Sequence, residues 1–82
     1  MKKDILDCIK EGKKAKEYRQ LMGIKQIDMA KLLEVPQANL CHMETGRFNL
    51  GDRYTVIQSM FEKWRIVETL RLEEHIQYLK SL

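Results

Sequence analysis

QIDMAKLLEVPQANLCHMETG, residues 26–46, decides how the rest of the chain is read. Met29, Ala30 and Leu33 recur at helical spacing, and so do Leu40 and Met43, so two short helices each carry one apolar face. Glu34-Val35-Pro36 separates them. Proline has no N–H to donate and disfavours a helical residue before it, so the first helix ends by about Glu34. The same ring has a φ suited to a first helical turn, so a second helix starts there, over about residues 36–45. Two helices joined by so short a turn cross steeply, as a helix-turn-helix.

Gln26, Ala30, the turn at Glu34-Val35, Leu40, Met43 and Glu44-Thr45-Gly46 resemble the helix-turn-helix of the phage repressor and Cro family of bacterial regulators. Upstream, Gly12, Ala15, Tyr18-Arg19, Gly23 and Ile24 resemble that family's first helix. The resemblance covers roughly residues 12–61, with gapless spacing from Arg19 through Gln26 and Ala30 to Glu44. It implies a mainly all-α, lambda-repressor-like bundle of four to five helices and a protein that regulates transcription by binding double-stranded DNA.

On the second helix, burying Leu40 and Met43 leaves Gln37, Ala38, Cys41 and His42 facing outward, with Asn39 at the flank. This face has no acidic residue to repel phosphate. Gln and Asn can pair with adenine, Ala can touch a thymine methyl and His can meet a guanine acceptor. The resemblance makes Gln37, Ala38 and His42 base-reading positions, with Asn39 and Cys41 beside them; the bland alternative is an ordinary polar surface. Lys25, Gln26, Arg47, Asn49 and Arg53 are the corresponding expected phosphate contacts. In the family Gln26 either meets phosphate or buttresses the reading residues, and the matching Arg19 and Glu44 form a structural ion pair.

Two positions depart from the family. Lys25 stands where a Ser, Thr or Asn cap is usual, a loss of about 1 kcal/mol that Asp28 in the first turn partly offsets through the helix dipole. Glu34 stands where glycine commonly holds a left-handed turn, which costs about 1 kcal/mol for a side chain.

Composition sets outer limits. The chain has 82 residues, 44% hydrophobic and 33% charged, with a net charge of +3. That describes one small globular domain, of a size often supported by a partner subunit. We divide it into an N-terminal extension (1–11), the helix-turn-helix bundle (12–63) and a tail (64–82). Residues 1–53 hold 11 Lys/Arg against 8 Asp/Glu, whereas residues 54–82 hold 4 of each. The surplus therefore sits with the helix-turn-helix and suits a polyanion. Lys13, Lys14 and Lys16 cluster as either a solvated face or a phosphate contact. No apolar run approaches a bilayer span, and the N-terminus is too charged for a signal peptide, so the cytoplasm is the expected compartment.

Cys8 and Cys41 form no CxxC motif and read as free thiols. With His42 and His75 they match no zinc spacing, so no metal is expected, nor any cofactor. No Ser-His-Asp set, Gly-rich phosphate loop or pair of convergent carboxylates argues for an enzyme.

The flanks are read from their periodicity. Ile5, Cys8, Gly12, Ala15, Tyr18 and Met22 keep helical spacing over about residues 3–22, either as one helix or as two divided at Gly12. Gly23 suits the left-handed cap that ends it. Phe48 and Leu50 are expected in the core, with Asp52 as N-cap of a helix carrying Tyr54, Ile57, Met60, Phe61 and Trp64. Beyond it, alternation of Trp64, Ile66, Leu70 and Leu72 and the β-preference of Trp, Ile, Val and Thr favour a strand near 65–72. A short helix near 73–81, with Ile76 and Leu79, would follow. Read instead as one helix, Ile66, Val67 and Leu70 point away from Leu72, Ile76 and Leu79. In either form the tail carries more apolar surface than one domain needs, and a homodimer through Trp64, Ile66, Leu70, Leu72, Ile76 and Leu79 is expected. An antitoxin that binds a toxin and its own operator, or a protein-interaction module on the same scaffold, are the alternatives.

Overall fold

The computed structural model describes residues 4–82. Four helices follow one another: α1 (Ile5–Leu21), α2 (Gln26–Leu32), α3 (Gln37–Glu44) and α4 (Asp52–Ser81). Among the described residues there is no strand. The all-α class expected from the helical periodicities is what the chain adopts.

Helix α1 starts at Asp4, whose side chain accepts the Leu6 N–H at 3.0 Å. It passes through Gly12 unbroken, so the extension and the bundle share one helix; residues 1–3 of that extension lie outside the described part. Gly12 is buried because the α1 backbone lies directly against the last turn of α3. A Cβ there would come within 2.9 Å of the Glu44 carbonyl oxygen and closer still to that of Met43. The flexibility that makes glycine a poor helix residue is thus offset by a close approach no other side chain permits.

Each of the first three helices ends in the same backbone motif. After α1, Gly23 (φ +71°) donates to the Gln20 carbonyl and Ile24 to that of Arg19. After α2, Glu34 (φ +57°) donates to Lys31 and Val35 to Ala30. After α3, Gly46 donates to Met43 and Arg47 to His42. These paired bonds satisfy carbonyls that a helix end leaves open. Glycine takes the left-handed position twice; Glu34 takes it at the α2–α3 bend, as the sequence led us to expect.

The core gathers Ala15, Met29, Ala30, Leu33, Leu40, Met43, Leu50 and Ile57, so every helix and the α3–α4 loop contribute. Tyr18 of α1 stacks on Phe61 of α4 with centroids 4.3 Å apart, and Phe61 on Trp64 at 5.7 Å.

Three expectations are corrected. The strand near 65–72 and the separate helix near 73–81 are one continuous piece of α4, 30 residues long. A strand needs a neighbour to take its N–H and C=O groups, and none is at hand. A helix satisfies them internally, and the Arg, Leu and Glu of 68–74 favour it. Two exposed i,i+3 pairs, Arg65–Glu62 at 3.0 Å and Arg71–Glu68 at 3.3 Å, lie along it. Asp52 is the first helical residue rather than the cap: Gly51 holds the cap position, and its N–H goes to Asn49 Oδ1 at 3.0 Å. Phe48 is not in the core but exposed, leaving Leu50 alone of that pair inside. No helix of the described residues is long and apolar enough to cross a membrane.

Candidate nucleic-acid interface

Helix α3 is only eight residues long, too short to hold itself in water. Its position comes from Leu40, wholly buried, and Met43, nearly so, on one side of it. The opposite side is turned out: Gln37, Ala38 and Cys41 are exposed, while Asn39 and His42 are half-buried at its edges. His42 is packed against Phe48, centroids 4.9 Å apart and planes tilted by 54°. Phe48 thereby limits how the imidazole can turn. Nothing in its sequence context separates it from the core phenylalanine we expected.

Beneath α3 lies an ion pair. Arg19 Nε donates to Glu44 Oε2 at 2.7 Å and Arg19 Nη2 to Oε1 at 3.1 Å, while Nη1 donates to the Ile24 carbonyl at 2.9 Å. Arg19 and Glu44 are both buried. One guanidinium therefore ties the end of α1, the α1–α2 loop and the end of α3 together. The bidentate form fixes orientation as well as distance.

The pair does not stop there. Gln26 Nε2 donates to the same Glu44 Oε1 at 3.0 Å, and Gln37 Nε2 donates to Gln26 Oε1 at 3.4 Å. Because Glu44 can only accept, Gln26 must present its oxygen toward Gln37. Gln37 must then turn its nitrogen inward, keeping its Oε1 and second N–H for an outside partner. Both ends of the Gln26 amide are thus engaged, its nitrogen on Glu44 and its oxygen on Gln37.

Around this ridge the expected phosphate contacts fall on three loops and helix starts. Lys25 precedes α2, exposed and without a side-chain cap bond. Arg47 and Asn49 are exposed on the α3–α4 loop, and Arg53 is exposed in the first turn of α4. Asn49 has part of its capacity taken by Gly51. The Thr45 hydroxyl, which sequence reasoning passed over, bonds back to the Cys41 and His42 carbonyls at 3.1 Å each and closes the last turn of α3.

Trp64 is half-buried against the aromatic stack, whereas Ile66, Leu70, Leu72, Ile76 and Leu79 are exposed along α4. Cys8 and Cys41 are free thiols. Among the described residues no three His, Cys, Asp or Glu side chains come together as a metal site would require.

No protein-family model matches the chain, and no curated protein or solved structure matches it either.

Proposed function

We propose that this chain is a sequence-specific double-stranded DNA-binding regulator of transcription, of the phage repressor and Cro type with a lambda-repressor-like bundle, acting as a dimer on an approximately palindromic operator. The observation that carries it is the exposed Gln37-Ala38-Cys41 side of α3, braced from beneath by the Arg19–Glu44–Gln26–Gln37 chain of hydrogen bonds. A major groove admits one helix, and the amide group left open on Gln37 has one acceptor and one donor side by side, the pair that adenine N6 and N7 complement. Lys25, Arg47, Asn49 and Arg53 supply sequence-independent affinity through phosphate, which falls with salt, while Gln26 braces Gln37. Ala38, Asn39, Cys41 and His42 complete the base-reading side. Two copies put two such helices in grooves about 34 Å apart, hence the palindrome. Repression is the simplest outcome of occupying a promoter.

Selection of random duplexes by the purified protein tests this. The expected result is an enriched, roughly symmetric site with adenine at the position Gln37 reads. Failure to enrich any sequence, together with no loss of binding when Gln37→Glu and His42→Asp are combined, overturns it.

A further inference from the structure

Past Trp64, α4 leaves the body of the protein. Every residue from 65 to 82 is exposed except Glu68, which is half-buried. The radius of gyration is 15.9 Å, against about 12 Å for a compact chain of this length. The accessible surface is 6382 Å², whereas a compact monomer of this mass has about 5,200 Å². The surplus over the whole chain, roughly 1,200 Å², is of the same order as the roughly 800 Å² that each partner gives up in a stable specific interface. Its apolar part includes a face with Leu72 60%, Ile76 42% and Leu79 54% exposed. A helix arm held only by exposed i,i+3 pairs is marginal in water by itself.

We infer that a second copy of this chain covers that face, the two α4 helices lying antiparallel with Leu72 of each against Ile76 of the other. The spacing 69, 72, 76, 79 is the alternating three-and-four of a two-helix seam. In a parallel pair, that seam sets Arg65 against Arg65 of the other copy and Glu68 against its Glu73. In the antiparallel pair, Leu79 covers Thr69 of the other copy and Arg65 lies past the overlap. Glu73 facing its counterpart is then the single meeting of like formal charges beside the seam. The opposed helix dipoles also favour this direction. The arrangement supplies the two copies that the proposed function calls for, but it is tested without DNA, so its failure leaves the α3 assignment standing and can be told apart from it.

Sedimentation of the full chain should give twice its 9.8 kDa mass at tens of micromolar. Leu72→Lys combined with Leu79→Lys should return the monomer with the helical signal of the body retained. Direction is read by oxidation in a Cys8→Ser, Cys41→Ser background. Leu79→Cys alone should stay uncrosslinked, because antiparallel copies hold the two positions about 15 Å apart. Mixed with Thr69→Cys it should yield a disulfide-linked heterodimer. A monomer of the unaltered chain overturns the inference, which would leave α4 to a different protein. So does a dimer that survives the double lysine change, or crosslinking by Leu79→Cys alone.

Discussion

Arg19 and Glu44 stand 25 residues apart in sequence and meet side on, with Nε 2.7 Å from Oε2. Both are buried, and Gln26 shares the carboxylate. Removing one partner leaves the other charge inside without its counter-ion. Glu44→Leu or Arg19→Met should each lower unfolding free energy by about 3–5 kcal/mol, whereas the double change should cost less than either alone. Urea titration of the three variants measures it; additive losses would mean that the pair is not the unit.

Gly12→Ala tests the contact of α1 with α3. Helix propensity alone predicts a gain of up to about 1 kcal/mol. The carbonyls of Met43 and Glu44 stand where the methyl would go, and backbone cannot swing aside as a side chain can. A net loss of about 1–3 kcal/mol is expected, as for overpacking, read from the thermal midpoint. A stabilised variant would place the two helices farther apart.

Glu34→Gly tests the bend. With φ at +57°, glutamate bears a strain of about 1 kcal/mol that glycine escapes. The variant should melt higher by a few degrees, with α3 and its binding unchanged. A lower melting point would mean that the side chain, not the backbone, matters there.

Lys25→Ser restores a capping oxygen to α2, which has none, and should add about 1 kcal/mol of stability. On the proposed function it also removes a phosphate contact, so affinity should fall equally for all duplexes and the salt slope should flatten by about one. Loss confined to one sequence, in a binding titration against several duplexes, would assign Lys25 to base reading instead.

Gln26→Ala separates bracing from phosphate binding. With the Gln26 bridge gone, Gln37 is free to flip its amide. On the proposed function, the preference for adenine at its position should relax by several-fold while binding to unrelated DNA changes little. A uniform loss of affinity would make Gln26 a phosphate contact.

Sequence by itself determined the two short helices α2 and α3 and the turn between them. The spacing of Met29, Ala30, Leu33, Leu40 and Met43, the proline at 36 and the glycines at 23 and 46 act within a few residues, so short-range rules suffice to place them. It also marked Arg19 and Glu44 and the outward side of α3. Tertiary structure decided what depends on distant neighbours. Gly12 stays inside a helix because α3 comes up against it. Phe48 lies on His42 while Leu50, two residues on, enters the core. The tail is helix, although Ile66, Val67 and Thr69 suit a strand, because no neighbouring strand is there to receive its backbone hydrogen bonds. Gln37 has a fixed amide orientation through a relay that begins at a carboxylate seven positions along the chain and passes through a different helix, a connection no linear pattern encodes.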